Sequence, residues 1–167
     1  MKLIKIDLNN KSQKEKFKRF PNHIYQNNPF WVPPLESEIH LTMNPSKHPF
    51  YKHSNADFFM VESEGDILGR IAVLQNRNFN DFHHSKTAFF YYFDSINDYE
   101  VAKILFTAAL DWAKGEGLGQ ILGPKGFLRS NGVGLLIEGF EYPPAMGQAF
   151  NFPYYRSLLE QMNFVKE

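Results

Sequence analysis

The sequence predicts an α/β domain, a mixed sheet flanked by helices, and three observations carry that prediction. Asp57–Ser63 and Ile67–Gln75 are rich in β-branched and aromatic residues and flank Glu64-Gly65-Asp66, the pattern of a hairpin. Thr87–Phe93 is an unbroken, aromatic-rich run, which suits a strand buried on both faces. Val101, Ile104, Leu105, Ala108, Ala109 and Trp112 then recur at helical spacing, and Gly115 and Gly117 close that helix. A short strand follows at Gly119–Gly123, and strands alternating with helices give the sheet a parallel section.

The remaining elements follow in chain order. Residues 2–8 nearly alternate apolar and polar and predict a first strand. Ser12 is placed to cap a helix that begins near Gln13 and ends before Pro21 or slightly beyond. Asn27–Pro34 holds three prolines and cannot be regular helix. A short helix from Leu35 to Met43 precedes another proline loop, 44–49. Residues 76–86 are polar and read as a loop. Residues 124–153 are rich in Gly, Pro and Asn and read as irregular, and Tyr154–Met162 reads as a last short helix. Phe164–Glu167 looks like the opening of a further strand.

Composition bounds the function. A length of 167 residues suits one domain, 1–167, able to bury a core without staples. Lys+Arg and Asp+Glu both count 18, so no field draws nucleic acid or an anionic membrane. The basic run within residues 2–19 reads as the solvated face of the first helix. The lack of cysteine removes disulfides, thiolate zinc sites and Cys nucleophiles. Without a signal peptide or an apolar run of about 20 residues, the chain is expected to be soluble and cytoplasmic. Aromatics reach 16 %, which implies a ring-rich core or an apolar groove.

Several motifs reduce to structure. The six histidines lack the i, i+4 spacing of a zinc pair, so no metal is expected. Gly115-x-Gly117-x-Gly119 follows a helix rather than a strand, the wrong order for a dinucleotide loop. Gly123-Pro-Lys-Gly126 lacks the Ser/Thr ending of a phosphate loop.

The element order, with Asn28-Pro-Phe-Trp-Val-Pro-Pro-Leu35, His48-Pro-Phe-Tyr-Lys-His53, Gly69-Arg-Ile-Ala72, Gly134-Leu-Leu-Ile-Glu-Gly-Phe140 and Asn151-Phe-Pro-Tyr-Tyr155, resembles the GNAT (N-acetyltransferase-like) superfamily. The resemblance is to a bacterial, uncharacterised GNAT-like group whose members are about twice as long. It implies a sheet of about six strands, with the last missing from this chain, and makes residues 1–167 the N-terminal half of a longer protein. The implied chemistry is transfer of an acyl group from acyl-CoA or an acyl carrier protein to a small-molecule amine, with no tightly bound cofactor. The implied partners are a second GNAT-like half of the same protein and, further, a second copy in a homodimer.

The superfamily holds the donor's pyrophosphate in a glycine loop before the long helix. On that pattern Asn97 and Ala102 fall in the loop, and only Ala102 fits. Asn97–Glu100 reads instead as a capping box, with Asn97 as cap and acidic Asp98 and Glu100 at the helix's positive end. The resemblance places the acyl groove at the C-terminal end of the aromatic strand, so Tyr92, Phe93, Asp94 and Ser95 are expected to border the donor together with Asn97 and Ala102. The family's acid, counted back from Phe164, falls on Leu159, which donates no proton. Tyr154 and Tyr155 become candidates if the register slips by a turn, and Glu138 is a candidate base in the long loop. The degenerate loop leaves two readings open: an N-acyltransferase-like enzyme, or a non-catalytic half serving as a structural, interaction or small-molecule-binding module.

Overall fold

Alternation along the central strands builds a sheet with two apolar faces. In the computed structural model, which describes residues 1–145 and 147–167, strands β1 (Lys2–Lys5), β2 (Asn55–Ser63), β3 (Asp66–Gln75), β4 (Thr87–Ser95) and β5 (Gln120–Leu122) lie in that order across one open sheet. The first three junctions are antiparallel, and β5 joins β4 in parallel, with Ala88 opposite Ile121. Phe59, Val61, Ile71, Val73 and Phe90 point to one face, and Phe58, Met60, Ala72, Leu74 and Phe89 to the other. Both faces are covered, and β4 is a continuous aromatic-rich run, as the sequence predicted.

The helices cover these faces. α4 (Tyr99–Gly115) packs Val101, Ala102, Leu105, Phe106 and Ala109 on the first face, joined there by Tyr155, Leu158 and Leu159 of α5 (Tyr154–Gln161). α1 (Lys11–Ile24) and α2 (Glu36–Thr42) cover the second through Phe17 and Ile39. Each fully buried Phe or Leu contributes about 1.5–3 kcal/mol. The α4–β3 contact is close: a methyl group on Gly69 would sit 2.9 Å from Leu105 and Val101 side-chain carbons.

Several expectations need correction. Asn10, not Ser12, caps α1, its Oδ1 accepting from Gln13 N at 3.1 Å. Pro21 lies inside α1, which runs on to Ile24. Residues 76–86 are not all loop: Asn76 caps a seven-residue helix, α3 (Arg77–His83). A 3-10 turn forms at Pro49–Lys52. β1 is shorter than expected, and no strand forms at Phe164–Glu167. Phe164 instead packs on Phe90 and Phe106, at 5.8 and 4.9 Å between ring centroids. Apart from Met146, residues 124–153 contain no helix or strand longer than a single bridge, Lys125 to Val133. Among the described residues no helix is long and apolar enough to cross a membrane.

Candidate functional site at the carboxyl end of β4

A bulge in β4 sets up the site. Arg70 faces Asp94 and Ala72 faces Tyr91, so one extra residue of β4 is inserted between them. Tyr92 sits there with φ +50°, a left-handed conformation that costs an aromatic residue about 1–2 kcal/mol. Tyr91 and Tyr92 both turn to the α1 side, 4.5 Å apart. The inserted residue reverses the alternation beyond it, so Asp94 reaches the same side as Arg70.

Arg70 and Asp94 form a buried ion pair there. Arg70 Nη2 lies 2.7 Å from Asp94 Oδ2, and Arg70 Nε donates to the same oxygen at 2.8 Å. Arg70 Nη1 donates to Phe17 O at 2.7 Å. That carbonyl lies one helical turn before Pro21, which has no N–H to give it. The guanidinium lies over the Phe17 and Tyr92 rings, 4.9 and 5.3 Å from their centres.

The other carboxylate oxygen starts a hydroxyl chain. Tyr25 Oη donates to Asp94 Oδ1 at 2.9 Å, and the Tyr25 and Tyr155 hydroxyls are 3.0 Å apart. Tyr25 has one proton and the carboxylate takes it, so Tyr155 donates to Tyr25. Tyr155 Oη accepts Ser95 N–H at 2.9 Å, and Tyr154 Oη donates to Ser95 O at 2.7 Å. Both backbone groups of Ser95 on the outer edge of β4 are therefore taken by α5. Trp31 and Phe152 stack on the two sides of Tyr25, at 5.3 and 4.7 Å. Burial, then the Asp94 charge, drives the Tyr25 and Tyr155 phenols far above their ordinary range. Tyr154 is raised in the same way.

The start of α4 is also filled. Asp98, not Asn97, is its cap: Asp98 Oδ1 accepts from Glu100 N at 2.8 Å and Val101 N at 3.4 Å. The capping residue lies one position later than the sequence suggested, and Glu100 adds a second carboxylate in the first turn.

The candidates separate on this geometry. Tyr92, Phe93, Asp94, Ser95, Tyr154 and Tyr155 come together. Phe93 is buried against Phe106 and Tyr155, 4.8 and 5.1 Å away. Ala102 is wholly buried in the core, and Asn97 is exposed. Glu138 is exposed on the long loop, away from this cluster's hydrogen bonds. Both backbone groups of Ser95 are occupied. Tyr25 and Arg70 are the members that sequence reasoning missed; an arginine inside the apolar run Leu68–Leu74 was the available signal.

No family model matches the chain. The chain is 33 % identical over 159 residues to protein YghO of Escherichia coli K12, spanning 94 % of this chain and 40 % of that protein. It is 25 % identical over 162 residues to the bacterial ceramide synthase of Caulobacter vibrioides, spanning 96 % and 42 %. The chain thus matches well under half the length of either relative. Among solved structures, a tandem GNAT protein from the clavulanic acid biosynthesis pathway superimposes with a TM-score of 0.61 at 13 % identity, covering 97 % of this chain and 43 % of that one. An aminoglycoside acetyltransferase from an uncultured soil sample gives 0.51 at 14 %, covering 72 % and 74 %. Strand order, the helix after β4 and these superpositions agree, and the chain carries the GNAT-like fold.

Proposed function

We propose that this chain is a non-catalytic half of a GNAT-type N-acyltransferase, closed at its own donor groove and serving as the structural partner of a second, catalytic half. The carrying observation is the occupancy of the carboxyl end of β4 and the start of α4 by the chain's own side chains. Tyr155 and Tyr154 hold both Ser95 backbone groups, and the Asp98 carboxylate holds the Glu100 and Val101 amides. A diphosphate brought to that helix end would meet two carboxylates, at about 1 kcal/mol of repulsion per charge pair at 4 Å in water. The residues present do not fit coenzyme A in this segment. Tyr155 is unsuited as an acid, since its phenol is buried and its proton is committed to Tyr25.

The lengths of the relatives support a second half, as does the superposition on part of a tandem GNAT protein. The name of the Caulobacter relative supports amide formation, because a ceramide is an amide. Thermal shift of the 167-residue chain with acetyl-CoA and a long-chain acyl-CoA tests the reading. No shift is expected. A micromolar response that Asp98→Gly strengthens would show a donor site working against its cap, and would overturn it.

A further inference from the structure

We propose that the cleft between α3, the 3-10 turn and the loop after β5 binds an aromatic anion: a flat ring bearing a carboxylate or a phosphate. The cleft is open to solvent and has a volume of about 510 Å³, against roughly 300–1,000 Å³ for small-ligand sites. It shares no residue with the closed end of β4.

Its floor is aromatic. Phe50 and Phe127 meet edge to face at 4.9 Å, and Phe79 lies 4.1 Å from the His83 ring. Phe82 is 80 % exposed at the rim and offers a ring face to a bound ring.

Its polar groups include donors. Asn76 Oδ1 accepts Phe79 N–H at 3.0 Å, which leaves the Nδ2 protons to give. Ser54 Oγ accepts Arg77 N–H at 3.1 Å and lies 2.6 Å from His53 Nδ1. Arg129 adds a guanidinium, and no ion pair among the described residues engages it. Beneath the floor, Lys125 Nζ lies 4.1 Å from the Phe79 ring centre and 4.7 Å from that of Phe89. Among the described residues no carboxylate lines the cleft.

This combination selects the ligand. A purely apolar molecule would leave the donors unpaired, and a cation would meet Arg129 without an acid to hold it. A bare anion would leave the rings uncovered.

NMR titration of the 167-residue chain tests the site, with phenyl phosphate, benzoate, adenosine monophosphate, inorganic phosphate and benzyl alcohol as probes. Saturable shifts are expected at the amides of residues 76–83 and 127–129 with the aromatic anions. Inorganic phosphate and benzyl alcohol should bind about tenfold more weakly. Arg129→Gln should weaken the anions by about tenfold or more, since a hydrogen bond to a charged group is at stake. Phe82→Ser should weaken them by about threefold. Both residues are exposed, so the variants should keep the parent Tm. Tightest binding of adenosine monophosphate would identify a nucleotide as the source, and tightest binding of benzoate an aryl carboxylate. Absence of saturable shifts at these amides, unchanged affinity in Arg129→Gln, or equal affinity for inorganic and phenyl phosphate would overturn the proposal.

Discussion

Tyr155 accepts the backbone N–H of Ser95 at 2.9 Å, so a side chain from the last helix stands where the edge of β4 would otherwise be open. The neighbouring Tyr154 closes the Ser95 carbonyl at 2.7 Å. One segment, Pro153–Tyr155, thereby satisfies both backbone groups, and the same contact joins α5 to the Asp94 and Arg70 pair through Tyr25.

Removing the Tyr155 hydroxyl tests this contact. Tyr155→Phe keeps the buried ring but orphans the Ser95 N–H. A loss of about 1–3 kcal/mol is expected from urea unfolding. A variant as stable as the parent would show that the hydroxyl closes nothing.

The ion pair is expected to respond asymmetrically. Asp94→Asn leaves the Arg70 guanidinium buried without its counter-charge and should cost about 3–5 kcal/mol. Replacing both, Arg70→Met with Asp94→Leu, should cost clearly less than the two single changes added together. Additive losses in the double-mutant cycle would contradict direct coupling.

Gly123 is fixed by close approach. A methyl group there would lie 2.6 Å from the Phe90 carbonyl oxygen, which already accepts Lys125 N–H at 2.9 Å. Gly123→Ala should destabilise by about 1–3 kcal/mol, read from the shift in the denaturation midpoint. A neutral effect would mean that the chain relaxes freely after β5.

His48 gives the fold an acid sensitivity. Burial holds its imidazole below its ordinary range, and Nδ1 accepts Phe50 N–H at 3.3 Å. The unfolded ring titrates near 6.5 and the folded ring lower, so the unfolded chain takes up the proton first as pH falls. This contribution is complete above about pH 6.5 and is lost below it, until the folded ring also titrates. Stability measured between pH 7.5 and 5.5 should fall less steeply in His48→Asn, which keeps an acceptor at that turn. Equal slopes would contradict the assignment.

Much of the fold was legible because periodicity and burial coincide: the β2–β3 hairpin, the aromatic β4 and the amphipathic α4 each carry a strong local pattern. α3 was not, because Asn76–His84 is polar, short and poor in helix formers, and its cap lies in the single pair Asn76 and Phe79. The bulge at Tyr92 was illegible for another reason. Five successive aromatic residues look alike on either face, so nothing local marks where alternation reverses. The sequence directed attention to the carboxyl end of β4, and it offered Tyr154 and Tyr155 as candidate acids. Their part in closing it depends on Tyr25 and Arg70, which lie 130 and 85 positions before Tyr155 in the chain.

The closed groove is tested most directly by the amide resonances of Ser95, Glu100 and Val101 during titration with acetyl-CoA. The account predicts that all three stay unmoved at millimolar ligand, each held by its tyrosine or aspartate partner. Saturable shifts at these amides would contradict it and place a thioester donor against β4 and α4.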